Sequence, residues 1–391
     1  MAQNKKNIVV IGGSYVGAKV TELIANKMHA THRTIMVEKN THFQHLFAFP
    51  RFAVVPGYEH KAFIPYSNAF SDSTPPDSTS IVQGKAVELL KDRVVVETGK
   101  GEKEEIEYEY LVLATGTKLT PPGTLHTEGK VDGIKYFQDH QAAMKKAERI
   151  VIIGGGAVGI QMATDTKEYY PTKSVTLIHS RPHLMNKYHP KFHELILERC
   201  NELGIEVITN DRVKIPAEGF PSDSSSRFDV ELTSGKKVPA DFVVIATGQT
   251  PNSAILASLS PQSITTSPPG FISVKRTLQL TDPAFPNVFA LGDVAHTTHH
   301  KAARPASKQA EIVASNIAKL AEGGEGVTLD EYPDLPAGIH MSLGMTRNIV
   351  FRNPEKEGDE PAYNLKDDGR EDMKIDRIWN MRAPGVTDYH L

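Results

Sequence analysis

The sequence predicts an α/β chain built from two units of one kind, with a small α+β region after them. Three observations carry this. The stretches Asn7–Asn40 and Arg149–Arg181 repeat one order: apolar run, Gly-rich turn, helical pattern, second apolar run. Their turns begin 142 residues apart, at Gly12 and Gly154. Two later apolar runs, Leu111–Leu113 and Val243–Ile245, each end in Ala-Thr-Gly. A further run, Asn287–Leu291, ends in Gly292-Asp293 ahead of a helical stretch from about Ala302.

Each element has its own reason. Ile8-Val9-Val10-Ile11 is β-branched and does not alternate, as expected of a parallel strand covered on both faces. Val20, Leu23 and Ile24 then recur at helical spacing, and Thr34–Glu38 is the next strand. In the second unit Ile150–Ile153 leads into a helix reaching about Tyr170, followed by the strand Val175–Ile178. Two such βαβ starts predict two Rossmann-like dinucleotide-binding folds. Val82–Gly99 and Phe228–Pro239 read as hairpins flanking them. The Pro- and Ser-rich segments Ser71–Ser80, Ala217–Arg227 and Ser258–Gly270 read as surface connections. Arg352–Asp372, charged and punctuated by Gly and Pro, reads as a solvated loop. The expected division is 1–122 with 250–331 as the first domain, 123–249 as the second, and 332–391 as the last.

Length and composition agree. At roughly 150 residues per domain, 391 residues make two or three domains. Hydrophobic residues at 39% and charged residues at 23% are ordinary for a globular chain. With 44 Lys and Arg against 47 Asp and Glu, the chain has no basic excess to neutralise phosphates, so no nucleic-acid partner is expected. The one cysteine, Cys200, excludes an intrachain disulfide, a CxxC redox pair and a cysteine-built metal site. Redox chemistry therefore requires a bound cofactor. Met1–Asn7 is short and polar for a signal peptide, Ala2 excludes N-myristoylation, and no run of about 18 apolar residues is present. The expectation is a cytoplasmic protein.

The turns point to dinucleotides. In G-x-G-x-x-G the first glycine permits the tight turn, the second lets backbone approach a pyrophosphate, and the third lets helix pack on strand. Gly154, Gly156 and Gly159 satisfy all three, with Ala157 and Val158 between the last two. Gly12 and Gly17 match as the first and third, while Ser14 stands at the middle position, where its hydroxyl can itself bond a phosphate oxygen. At the end of the first unit's second strand lie Glu38 and Lys39. A carboxylate there accepts hydrogen bonds from adenosine ribose hydroxyls. The second unit ends instead in His179-Ser180-Arg181. Arg pairs with a 2′-phosphate that a carboxylate would repel, so this end favours NADPH, with NADH left open. Asp293 can accept from a flavin's ribityl hydroxyls.

In this order GGSYVG, ATG, GGGAVG, ATGQTPN and NVFALGD resemble the two-dinucleotide-binding flavoproteins over nearly the whole chain. Phe43-Gln44-His45, Phe63-Ile64-Pro65-Tyr66 and Trp379-Asn380-Met381-Arg382 resemble in particular the apoptosis-inducing-factor-like branch, which includes ferroptosis-suppressor-type NAD(P)H:quinone oxidoreductases. The resemblance implies FAD on the first unit, at Gly12, Gly13, Ser14, Gly17, Glu38, Lys39, His45, Ala114, Thr115, Gly116, Gly292 and Asp293. It implies NADPH or NADH on the second, at Gly154, Gly156, Ala157, Val158, Gly159, His179, Ser180, Arg181, Thr247 and Gly248. It further implies hydride transfer from nicotinamide to flavin and onward transfer to a quinone-like small-molecule acceptor or oxygen. Two other roles stay open: a redox-sensing or death-signalling protein with little turnover, and a flavin oxidase or dehydrogenase of a small organic metabolite.

Two positions read as catalytic through the resemblance. Lys301 stands where the quinone reductases keep a lysine near the flavin. Gln161 stands where the family usually has Glu near the nicotinamide, keeping a hydrogen-bonding group without the charge. Phe43–Phe70 holds eight aromatic residues, suited either to a wall for a flat quinone or to core. His296, His299 and His300 are read as loop histidines, and no metal is expected. Because quinones dissolve in lipid, a peripheral membrane contact through Trp379 and the tail stays open.

Overall fold

A computed structural model describes residues 5–70, 72–99, 101–224, 226–298, 301, 303–323 and 326–391. The apolar run Lys6–Ile11 is the central strand of a five-stranded sheet. Its order is Val288–Ala290, Tyr110–Leu113, Lys6–Ile11, His32–Glu38, Thr79–Gln83, with every pairing parallel. Val9 pairs with Ile35 on one side and Leu111 on the other. The missing alternation has its expected cause. Val9 packs with Leu111, Ile272 and Leu280 on one face, while Ile8 and Val10 pack with Ile24, Val313 and Ile317 on the other. Helices Tyr15–Met28 and Ala303–Gly323 lie against each other over that second face.

The second sheet has four parallel strands in the order Glu206–Ile208, Ser174–Ile178, Arg149–Ile153, Phe242–Ile245. Helix Ala157–Tyr169 crosses between its two middle strands. Where the chain passes from one sheet to the other and back, Thr117–Leu119 pairs antiparallel with Gln249–Pro251. The last region is an antiparallel sheet of Gly338–Ser342, Asn348–Arg352 and Ala362–Lys366, followed by helix Ile375–Arg382.

Several local expectations are corrected. The supposed connection Ser71–Ser80 runs into the strand Thr79–Gln83, which closes one edge of the first sheet. Ser258–Gly270 contains the strand Ile264–Thr266 and the start of Pro269–Ser273. The charged segment Arg352–Asp372 contains the strand Ala362–Lys366, all of whose residues are exposed. Its backbone pairs while its side chains stay in water, so hydropathy carries no signal. Most of the aromatic segment is core: Phe43, Phe49, Phe52 and Phe63 are buried, while Phe47 is 53% exposed. Trp379 is buried and its indole N–H donates to Lys61 O at 2.8 Å, so it is no surface anchor. Among the described residues no helix is long and apolar enough to cross a membrane.

One polar contact joins the three regions. Arg51, on the short helix Phe49–Phe52, is buried with Asp165 of helix Ala157–Tyr169. Its Nε donates to Oδ2 at 2.7 Å and its Nη2 to Oδ1 at 2.9 Å, a bidentate fork. The remaining N–H groups reach Gly344 O at 2.7 Å and Arg370 O at 3.0 Å in the last region. Burial pushes the Asp165 carboxyl upward, and Arg51 opposes that shift. Removing one member strands a buried charge. Arg51→Met is expected to lower unfolding stability by about 3–5 kcal/mol in urea titration, and Arg51→Met with Asp165→Leu by clearly less.

Candidate functional site

The two Gly-rich turns are built alike. Gly154 has φ +124°, and a Cβ there would lie 2.3 Å from Ala246 O. A Cβ on Gly159 would lie 1.9 Å from Gly154 O. The first unit repeats both approaches: Gly12 against Ala114 O at 2.5 Å, and Gly17 against Gly12 O at 1.7 Å. The alanines of the two Ala-Thr-Gly runs therefore supply the backbone against which each turn closes. Gly156 differs, because a Cβ there meets nothing within 4 Å. It faces open space at the start of its helix, the cradle a diphosphate requires. Ser14 caps the first helix without a side-chain cap bond, leaving its hydroxyl and the first-turn N–H groups available.

Each turn is held by the residue ending its unit's second strand, and here the units part. Gly13 N–H donates to Glu38 Oε2, while the backbone and side-chain nitrogens of Asn40 donate to Oε1 at 2.8 and 2.7 Å. Burial raises the Glu38 carboxyl, with those N–H groups opposing. In the second unit Gly155 N–H donates to His179 Nδ1 at 3.0 Å. Burial, and then Arg181, lower the His179 imidazole, so it is neutral with its proton on Nε2. That Nε2 is buried without a partner among the described residues. Arg181 is exposed and donates to Asn186 Oδ1 at 2.8 Å, and Ser180 is exposed beside it. Lys39 lies on the surface, 3.7 Å from Glu128.

The Ala-Thr-Gly ends meet at the chain crossing. Thr115 Oγ1 donates to Asn252 O at 2.7 Å, and Thr120 Oγ1 donates to Thr247 O. Gly116 and Gly248 have φ +63° and +86° there. Gly292 N–H donates to Gln309 Oε1 at 2.8 Å, setting the turn that carries Asp293. Burial raises the Asp293 carboxyl, which has no hydrogen-bond donor among the described residues. Lys301 is half-buried, donates to Ala295 O, and lies 4.8 Å from the centre of the Phe271 ring. Burial holds its ammonium down at about 8, with Asp293 opposing. It lines a cleft of about 430 Å³ with Lys187, Gln249, Phe271, His296 and Leu335. Gln161 is buried elsewhere, its amide 3.5 Å from Phe47 O and 3.8 Å from Met373 Sδ. The two catalytic candidates thus have different neighbours. His45 is buried and shares a 2.9 Å hydrogen bond with the Tyr15 hydroxyl. Burial and then Arg382 hold its imidazole down at about 4. His299 and His300 lie outside the described residues, and among those described no three residues could hold a metal.

Sequence reasoning missed Tyr66, whose hydroxyl donates to Gly13 O at 3.0 Å, as well as Lys187 and Phe271 in the cleft. The aromatic density of Phe43–Phe70 was a signal for the first, but nothing local marks the other two.

The chain belongs to the pyridine nucleotide-disulphide oxidoreductase family, whose model matches residues 6–310. It is similar to Fe-regulated protein 8 of Mycosarcoma maydis, 34% identical over 99% of this chain and 97% of that one. Ferroptosis suppressor protein 1 of Taeniopygia guttata is 30% identical over 79% of each chain. The sulfide:quinone oxidoreductase of Aquifex aeolicus shares the fold, with a TM-score of 0.74 at 19% identity over 98% of this chain and 93% of that one. With its paired dinucleotide turns, the chain is an FAD-dependent NAD(P)H oxidoreductase passing electrons to a small-molecule acceptor. Despite the family's name it has no cysteine pair, and Cys200 is buried.

The glycine geometry separates folding from binding. Gly159→Ala is expected to destabilise the fold, because its methyl meets backbone. Gly156→Ala should melt like the unmodified protein and keep its FAD, while binding pyridine nucleotide more weakly in fluorescence titration.

Proposed function

We propose that this oxidoreductase draws electrons from NADPH in preference to NADH and delivers them to a quinone. The observation that carries the coenzyme choice is the exchange of Glu38 for His179 at matched places on the two turns. A carboxylate that accepts a turn N–H also accepts from a ribose diol, and it repels a 2′-phosphate. A neutral imidazole accepting the same N–H leaves Nε2–H as a donor, with the Arg181 guanidinium near it. Both suit an anionic 2′-substituent.

On this reading FAD occupies 1–122 with 250–331, the pyridine nucleotide 123–249, and 332–391 closes against both. Bound there, FAD would supply two-electron redox chemistry between nicotinamide and acceptor. The chain's part is to hold and orient. Gly12, Gly13, Ser14 and Gly17 hold a diphosphate at one helix start, and Gly154, Gly156, Ala157, Val158 and Gly159 hold the other. Glu38 takes the adenosine ribose, and Asp293, half-buried with no donor reaching it among the described residues, takes ribityl hydroxyls. Ala114–Gly116, Thr247 and Gly248 border the crossing between the two sites, and His45 borders the flavin. Gln161 offers an uncharged amide to the carboxamide. Lys301 holds positive charge in the cleft beside Phe271, suited to negative charge growing on a neighbouring ring. The quinone acceptor is supported by the lack of a cysteine pair and by the sulfide:quinone oxidoreductase that shares the fold.

Anaerobic stopped-flow reduction with each coenzyme, followed by mixing with a short-chain quinone or oxygen, tests the reading. Faster bleaching by NADPH is expected, with Arg181→Glu erasing or reversing the preference. Reoxidation should be faster with quinone than with oxygen. Equal rates for both coenzymes defeat the first assignment, and faster reoxidation by oxygen defeats the second.

Lys301 adds a pH dependence. Its ammonium loses its proton as pH rises through about 8, so the reduction rate should decline above that pH. Lys301→Arg, charged throughout, should flatten the decline. Lys301→Met should be slower at every pH, by about 100-fold, the usual cost of one lost donor at developing charge. Parallel pH–rate profiles of the three proteins measure this.

A further inference from the structure

Helix Ile375–Arg382 ends in a cation that no hydrogen bond or ion pair reaches among the described residues. Its Ile375 and Trp379 are buried, Trp379 is tied to Lys61 O, and Asp376 pairs with Lys61 at 2.9 Å. This packing delivers the Arg382 guanidinium over the Phe43 ring, 4.6 Å from its centre, and 5.9 Å from the centre of the Tyr15 ring. Arg382 Nε is buried, and neither a hydrogen bond nor an ion pair reaches it among the described residues. The groups whose charge it feels are Tyr15, Tyr66 and Glu22. Burial keeps both phenols protonated and neutral. Glu22 is the one carboxylate of the three, and it is engaged by Lys19 at 3.2 Å. His45, also nearby, is neutral.

Arg382 as a whole is half-buried, but its Nε is cut off from water, and a charged group held out of water is paired or serves a ligand, because leaving it unmet carries a desolvation cost. The place of this one is informative. Tyr15 opens the first unit's helix directly after Ser14, whose side chain leaves the helix start uncapped. Tyr66 bonds the carbonyl of Gly13 in the same turn. A helix N-terminus and an unpaired guanidinium therefore converge on one turn, whose Gly13 N–H is already taken by Glu38.

We infer that Arg382 is a binding residue for the FAD diphosphate, and that the anion is the missing partner of this guanidinium. The inference rests on the reading that the first turn holds FAD. It makes the C-terminal helix part of the cofactor site, although Arg382 lies 370 positions beyond Gly12.

The test uses the full chain stripped of flavin, as unmodified protein, Arg382→Met and Arg382→Lys. FAD affinity is read by fluorescence quenching over a series of KCl concentrations, and melting is followed with and without FAD. Arg382→Met is expected to weaken FAD by about 10- to 100-fold, as for one lost charge-assisted contact. It should also flatten the salt dependence, with Arg382→Lys intermediate. Without FAD, Arg382→Met should melt at or above the unmodified protein, since a stranded charge has been removed. With FAD the order should reverse. The midpoint potential of the bound flavin should stay unchanged. Unaltered FAD affinity overturns the inference, as does a shifted potential at unaltered affinity, which would put the cation at the flavin ring instead. A flavin-free Arg382→Met protein that melts lower also overturns it, by showing a partner within the chain. If the unmodified apoprotein does not bind FAD, the reading of the first turn fails, and the inference falls with it.

Discussion

The buried fork between Arg51 and Asp165 is the contact on which the arrangement of the three regions depends. Arg51 comes from a segment following the first sheet's second strand, Asp165 from the second sheet's crossing helix, and the carbonyls of Gly344 and Arg370 from the last region. Apolar packing around it is extensive but tolerant of sliding, because dispersion contacts have little directional preference. A bidentate ion pair does have one. Its geometry is satisfied at one relative placement, and any other leaves two charges buried and poorly met. Nearby, Glu168 repeats the device, accepting from Arg199 and from the backbone of Met345 at 2.6 Å. Both acids project from helix Ala157–Tyr169, which also carries Gln161. The polar lock and the nicotinamide-side candidate are thus set by one rigid element.

Within that frame, one backbone design recurs in two turns. Both turns close against an alanine carbonyl and bring helix onto strand with no room for a methyl group. The difference lies in what receives the turn's second N–H: a carboxylate in one unit and a neutral imidazole in the other. A single side chain at the end of one strand sets the local potential without altering the backbone around it. The two turns thus differ in the group that meets them while staying alike in shape.

Much of this was legible in the sequence because it rests on local rules. The β-branched runs, the glycine spacing and the Ala-Thr-Gly ends are short-range signals, and each lands on the predicted element. The fifth strand, Thr79–Gln83, was hidden because it sits at a sheet edge with half-buried side chains and no periodic pattern. Ala362–Lys366 was hidden because its pairing is carried by backbone alone. The short final helix buries Ile375 and Trp379, a single i,i+4 pair, too little to establish a period. Arg51 and Arg382 were illegible for another reason. Each looks like a surface cation in a linear reading, and burial arises from partners more than a hundred residues away. The aromatic segment divided as chemistry dictates, with rings going to core except where Phe47 emerges.

The antiparallel pairing of Thr117–Leu119 with Gln249–Pro251 has a consequence for how such a chain is put together. Leu119 sits opposite Gln249 in a two-stranded ribbon outside the first sheet, so the polypeptide departs for the second sheet and comes back through neighbouring points. Everything between those points is a closed excursion whose ends already touch. A segment of that kind can be lengthened, exchanged or inherited as a cassette without breaking the sheet that hosts it, because the host sees the same two adjacent strand ends. Asp165 lies inside that excursion and Arg51 outside it, so an exchanged segment must bring a carboxylate to the same buried fork.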